Sequence, residues 1–389
     1  MLDSPSWQMT KPLVSHLPHH DVVVVGGGPA GLQSARFLAG KGLSVVLLEE
    51  HPSVGFPQHC TGLVSLEGLA RHILVSDRKV VVNRVRGAWF IGPGGVRLLV
   101  ERSEPVAAVV DRPLLEQLLL DEVARGAEVI LGARVQPELL GAGSPVVVAA
   151  GVSSLARSRR DYVLPALQFD YQLSQSCGCD HVYVFLGSQF SRGLFAWAVP
   201  LSERVYRVGL ASKGNVLLRL ELLLKGLHSL TGCAKPERRL AVYGGAVYTG
   251  GMLDRLVRGN TILVGDAAGQ TKPTTGGGLV YLSIAARKLA EALSAGEVGL
   301  YERLVRRELG AEMRAQLLLR KLLNSLDDKA LEEMMLRVKK LGFEELASRE
   351  GSMDRQAALV LKAAPSLLFR SPSLALSLLL KLLQSLLVP

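Results

Sequence analysis

An α/β fold is predicted by three observations. A strand, a glycine turn, a helix and a second strand follow one another near the start; alternating, aromatic-containing segments interrupt that texture; and long leucine stripes run from about 301 to the end. The valines of 21–25 favour extended backbone and end in glycines. An apolar helical period covers 32–38, Gly42 stops it, and 44–48 is a second apolar run. Because a helical crossover returns the chain in the same direction, the two strands are expected to pair in parallel. A periodic helix runs from Arg112 through Val123, and 127–131 and 145–149 read as further strands of this layer, the latter ending at Gly151. Between about 162 and 247 the segments 168–173, 181–186, 195–199 and 206–211 have the texture of an antiparallel sheet. The first texture returns with a strand at 261–264 and a helix over 279–293. The antiparallel sheet is therefore read as an insertion: 21–160 and 248–298 form one discontinuous α/β domain, 161–247 an antiparallel-sheet substrate domain that makes the whole α/β (α+β), 299–389 a helical region and 1–20 a disordered leader.

The 389 residues suffice for two or three domains. Although 48% are hydrophobic, no stretch of about 20 escapes polar interruption, so no spanning helix is expected. The leader lacks a basic segment followed by an apolar one, which argues against a signal peptide and for a cytoplasmic protein. Cys60, Cys177, Cys179 and Cys233 form neither a disulfide framework nor a C-x-x-C metal motif; four reduced thiols and no metal site are expected. The net charge of +10 sits in short clusters at 157–160, 303–307 and 339–340, without the aromatic interleaving of a nucleic-acid binder. Such clusters are either solvated faces or a positive field for an anionic cofactor, phospholipid or membrane surface.

Gly26-Gly27-Gly28-Pro29-Ala30-Gly31 fits G-x-G-x-x-G between strand and helix. The first glycine makes the turn, the second admits a diphosphate and the third lets helix approach strand, as in a Rossmann-type fold. The helix start then offers free N–H groups to phosphate. Glu49, with Glu50 beside it, lies eighteen residues beyond Gly31, where a carboxylate takes ribose hydroxyls. This fingerprint serves NAD and FAD alike. A second motif decides: Val264-Gly265-Asp266-Ala267-Ala268-Gly269 ends a strand on an acid suited to a ribityl chain, and Gly276-Gly277-Gly278, followed by Leu279, brings backbone against a flavin. FAD is the cofactor expected. Arg112, opening its helix, either approaches the diphosphate or is solvated.

The long run 265–278, with Gln270-Thr271-Lys272-Pro273-Thr274-Thr275 inside it, resembles the second FAD motif of the geranylgeranyl reductase family. The resemblance extends to 55–65, to Phe195-Ala196-Trp197-Ala198-Val199-Pro200 and to Asp354-Arg355-Gln356, and covers most of the chain from Asp21. It implies a para-hydroxybenzoate hydroxylase-like fold and an enzyme that reduces isolated double bonds of geranylgeranyl chains, in archaea those of ether-lipid precursors. It places Ala30, Glu49, Cys60, Thr61, Arg112, Asp266, Gly278 and Leu279 at the FAD, with Cys60 also beside the isoalloxazine. Phe195 and Trp197 fall on the aromatic strand that lines the isoprenoid pocket, where the family pattern is Y-x-W-x-F-P. The chain departs from the pattern at Ala150, which stands for the acid of A-D-G, and at Phe195 and Val199, which stand for Tyr and Phe.

An isolated alkene has no carbonyl to polarise, so its reduction needs a hydride donor and a separate proton source. Cys60 is the candidate that donates the proton or positions the alkene, with Phe195 and Trp197 as the aromatic wall; His51 and His59 are the other possible acids. With one dinucleotide motif there is no dedicated NAD(P)H domain, so the electron donor is transient NAD(P)H or a ferredoxin. The apolar tail 374–388, with Ser377, Lys381 and Ser385 four apart, suits a packed terminal helix, a peripheral membrane contact or a dimer contact. Two other functions fit the same fold: an aromatic hydroxylase using oxygen, and a non-catalytic flavin-binding lipid carrier.

Overall fold

The computed structural model describes residues 20–73, 78–137, 143–155, 158–359 and 362. The expected leader, apart from His20, and the tail over 374–388 lie outside the described residues.

The strand Val22–Val25 is the centre of a six-stranded sheet, because four consecutive valines fit a layer covered on both faces. It pairs in parallel with Val45–Glu49 on one side and Val146–Val148 on the other. Glu128–Leu131 and Thr261–Leu263 extend the sheet in parallel, and Val257–Arg258 closes one edge antiparallel. One face is covered by the helices Pro29–Ala39, Arg112–Val123 and Leu279–Ser294, which pack on one another. Pro29 starts the first of these where its missing N–H costs nothing. Asp111 caps the second by accepting from Leu114 N at 3.0 Å.

A seven-stranded sheet stands beside this layer, in the order Pro236–Tyr248, Val163–Leu173, Val205–Ala211, Ala196–Ser202, His181–Phe185, Gly87–Ile91, Arg97–Glu101. It is antiparallel except where His181–Phe185 meets Gly87–Ile91. Its last two strands come from 87–101, within the stretch that sequence analysis assigned to the first domain. They pair with each other, and Gly87–Ile91 joins the sheet through His181–Phe185, a partner so far along the chain that composition carries no register. Phe169, Phe185, Tyr206, Val208 and Leu210 turn one face towards the helix Val216–Thr231, which answers with Leu220, Leu223 and Leu227. The opposite face carries Gln168, Asp170, Trp197, Arg207 and Tyr243. Register aligns Tyr243, Gln168, Gly209 and Trp197 in one row across four strands.

The expectation of four reduced thiols is corrected: Cys177 and Cys233 are disulfide-bonded, with Cα atoms 5.2 Å apart, and Cys60 and Cys179 are free. The helix Val216–Thr231 doubles back along the sheet and ends at Gly232, whose φ of 76° turns the chain so that Cys233 meets the loop after Leu173. Spacing along the sequence does not disclose that return.

Beyond the sheets, Val298–Ser325 buries Tyr301, Val305, Leu309 and Met313 along one stripe. Its last turns bury Gln316 and Arg320, both directed at the 270–275 loop.

Candidate functional site

The first glycine loop is shaped by two close approaches. Gly26 has a φ of 105°, and a Cβ there would lie 2.5 Å from the Ala149 carbonyl; a Cβ on Gly31 would lie 1.8 Å from the Gly26 carbonyl. Gly28, at the helix start, faces no atom within 4 Å and has no side-chain cap, so the helix presents unclaimed N–H groups to open space. Ala30 is buried directly behind this turn. Glu49 is held at its strand end by accepting from Gly27 N at 2.5 Å and His51 N at 2.9 Å. Glu50 is exposed, with Arg134 Nε at 3.4 Å, and takes no part in these contacts.

Arg112 is buried rather than solvated: its side chain is 11% exposed and donates from Nη2 to Glu116 at 2.5 Å. Burial works against its charge, but Cys60 and Glu116 outweigh that and hold the guanidinium above its ordinary pKa. Among the described residues its Nε is buried without a partner. Asp266 stands nearby, its carboxyl pushed up by burial while Arg112 pulls it down. A Cβ on Gly278 would sit 3.4 Å from Asp266 Oδ1, and one on Gly276 2.2 Å from Val247 Cγ1. Gly277 donates from N to Thr275 Oγ1 at 3.3 Å, and Leu279 opens the following helix. An orphaned guanidinium nitrogen, a bare helix start and a glycine-lined loop carrying an acid form a donor set that fits the diphosphate and ribityl groups of FAD.

Cys60 stands between the two halves. Its sulfur accepts from Gly62 N at 3.3 Å, and its charge helps to hold the Arg112 guanidinium above its ordinary pKa. Below it, Thr61 Oγ1 donates to Gln168 Oε1 at 2.8 Å, Gln168 Nε2 donates to the His59 carbonyl at 2.9 Å, and Trp197 Nε1 donates to Gln168 Oε1 at 3.3 Å. Phe195 meets Trp197 edge to face at 6.0 Å. Arg207 forms a two-pronged pair with Asp170 at 2.7 and 2.8 Å and also donates to the Thr61 carbonyl at 3.1 Å. Tyr243 donates to Asp170 at 3.1 Å, and burial with the neighbouring carboxylate pushes its hydroxyl pKa up. His59 donates from Nδ1 to the Gly244 carbonyl at 2.6 Å, and His51 Nδ1 lies 2.5 Å from Glu49 Oε1; both are loop residues, His51 with a partner two residues away and His59 with one on the seven-stranded sheet.

The structure thus brings Cys60, Thr61, Arg112 and Trp197 together, with Phe195 one contact behind. Sequence reasoning missed Gln168, Asp170, Arg207 and Tyr243. The signal was present in part, since Gln168 and Asp170 are polar residues two apart in one strand and so share one face, where both are buried. It also missed a clasp on the second loop: Lys272 Nζ pairs with Asp354 Oδ1 at 2.5 Å, Thr274 Oγ1 donates to Gln356 Oε1 at 2.7 Å, and Arg320 Nε donates to the Pro273 carbonyl at 3.1 Å.

Fold and cradle together define an FAD-dependent oxidoreductase, and the FAD dependent oxidoreductase family matches 21–67. The chain is 28% identical over 356 residues to a digeranylgeranylglycerophospholipid reductase of Methanothrix thermoacetophila, covering 81% of this chain and 90% of that one. It is 29% identical over 360 residues to digeranylgeranylglycerophospholipid reductase 2 of Methanothermobacter thermautotrophicus, covering 81% and 91%. Among solved structures, a geranylgeranyl bacteriochlorophyll reductase-like protein of Thermoplasma acidophilum has the same fold, with a TM-score of 0.76, 21% identity and 93% and 99% of the two chains covered. Over most of its length the chain is thus similar to digeranylgeranylglycerophospholipid reductases, and it shares its fold with a geranylgeranyl reductase-like protein.

Proposed function

We propose that this protein saturates isolated double bonds in the geranylgeranyl chains of an isoprenoid glycerophospholipid or its precursor. The observation that carries the reading is the meeting of Trp197 with the loop around Cys60 through one buried amide, Gln168, while the thiol interacts electrostatically with Arg112 of the FAD cradle. Bound FAD, once reduced, supplies the hydride. Glu49 would take the ribose, Arg112 Nε a phosphate oxygen and Asp266 the ribityl hydroxyls, while Phe195 and Trp197 would hold the alkene by apolar contact. Each methylene of a buried chain contributes about 0.8 kcal/mol, so an aromatic wall retains such a lipid with few polar contacts. Cys60 delivers the proton that completes the addition. The thiolate it leaves behind accepts from Gly62 N and is stabilised by the positive charge of Arg112 until a proton returns.

The electrons come from NAD(P)H visiting transiently or from a ferredoxin, since the chain carries one dinucleotide motif. A cytoplasmic protein resting peripherally on the membrane fits the net charge of +10, and among the described residues no helix is long and apolar enough to cross a bilayer.

The test is anaerobic. The flavin is reduced, a geranylgeranyl phospholipid is added, and absorbance and lipid mass are followed. Flavin reoxidation with two hydrogens gained by the lipid per turnover is expected, and Cys60→Ala should slow that step about 100-fold, the scale of general acid catalysis, with FAD still bound. Flavin that stays reduced until air is admitted overturns the reading.

A further inference from the structure

We infer that Gln168 is a positioning residue which sets the indole of Trp197 against the Cys60 loop, so that proton source and substrate wall move as one unit. The inference takes the roles of Cys60 and Trp197 from the proposed function, but its test uses no lipid. Gln168 is 2% exposed and its amide makes three bonds: Oε1 accepts from Thr61 and Trp197, and Nε2 donates to His59. The orientation of that amide is forced. An indole N–H only donates and a backbone carbonyl only accepts, so the oxygen must face Trp197 and the nitrogen His59. The neighbouring strand leaves room for this arrangement. Gly209 pairs with both Gln168 and Trp197, and a Cβ there would lie 2.5 Å from Gln168 Cβ and 2.8 Å from Trp197 Cε2 and Cζ2. The indole therefore lies over the bare Gly209 backbone, with its N–H turned to the amide. Arg207 also reaches the loop, through the Cys60 and Thr61 carbonyls, but makes no hydrogen bond to Trp197. Gln168 bonds to both.

The readout is the alkylation rate of Cys60 by N-ethylmaleimide in the FAD-loaded protein, measured by peptide mass spectrometry with Cys179, the other free thiol, as internal standard. Gln168→Met keeps the volume and removes all three bonds. It should raise the Cys60-to-Cys179 ratio about fivefold to tenfold, the scale of one lost neutral hydrogen bond. Trp197→Phe, which removes the indole's hydrogen bond to Gln168, should raise the ratio in the native background and add nothing in the Gln168→Met background. Should Gln168→Met not fold, Thr61→Val cuts the same link from the loop side, and its double variant with Trp197→Phe gives the same cycle. An unchanged ratio in the folded single variant, or full additivity in the cycle, overturns the inference. A failure of the lipid assay leaves this result standing, because alkylation requires no substrate.

Discussion

At the residue scale the most informative atom is Arg112 Nε, a buried donor without a partner in a side chain whose other end is fixed by Glu116. A buried unpaired donor costs about 1–3 kcal/mol, so its retention argues for an acceptor that the polypeptide does not itself provide. A diphosphate oxygen is such an acceptor. Arg112→Met should therefore weaken FAD binding about 10-fold to 100-fold, read by titrating the flavin-free protein and following the quenching of FAD fluorescence. Arg112→Lys should not restore affinity, because an ammonium cannot hold Glu116 and a phosphate in the planar geometry of a guanidinium. Undiminished affinity in Arg112→Met would place the diphosphate elsewhere.

At the scale of elements, what was legible in the sequence is what local chemistry dictates. Four valines followed by glycines fix a strand and turn, and the helices of 29–39 and 279–294 follow from apolar period and from their flanking residues. The row Tyr243, Gln168, Gly209, Trp197 was not legible, because it depends on the register of four strands that local pattern leaves undetermined. The disulfide between Cys177 and Cys233 was hidden for the same reason, with 56 residues between its ends. The clasp on the second flavin loop belongs to this class. Asp354 pairs with buried Lys272 and also accepts from Ser65, while its own carbonyl accepts from Tyr281. Removing the carboxylate leaves a buried ammonium unpaired, which costs about 3–5 kcal/mol. Asp354→Ala should lose about that much stability in urea unfolding, and Lys272→Met/Asp354→Leu should recover much of it. If the double variant is no better than Asp354→Ala, the pair is not what holds the loop.

At the scale of the whole molecule, the two halves are joined where the chemistry is proposed to happen. His59 bonds to Gly244, Thr61 to Gln168, and the Thr61 carbonyl to Arg207, so the Cys60 loop of the cradle half is fastened to the seven-stranded sheet by three polar contacts, two of them partly buried and that of His59 exposed. Such contacts couple the unfolding of one half to the other, since opening either half exposes unpaired partners in both. Two native probes separate the halves. Trp89 and Trp197 lie in the seven-stranded sheet, whereas flavin fluorescence reports the cradle. In the native protein the tryptophan transition and flavin release should coincide on heating. Arg207→Met leaves Asp170 buried without its guanidinium and frees the Thr61 carbonyl, at a cost of about 3–5 kcal/mol concentrated at the junction. The two transitions should then part, with the junction opening first. Coincident transitions in Arg207→Met would mean that the halves are held together by the apolar packing around them and not by the polar set beneath Cys60.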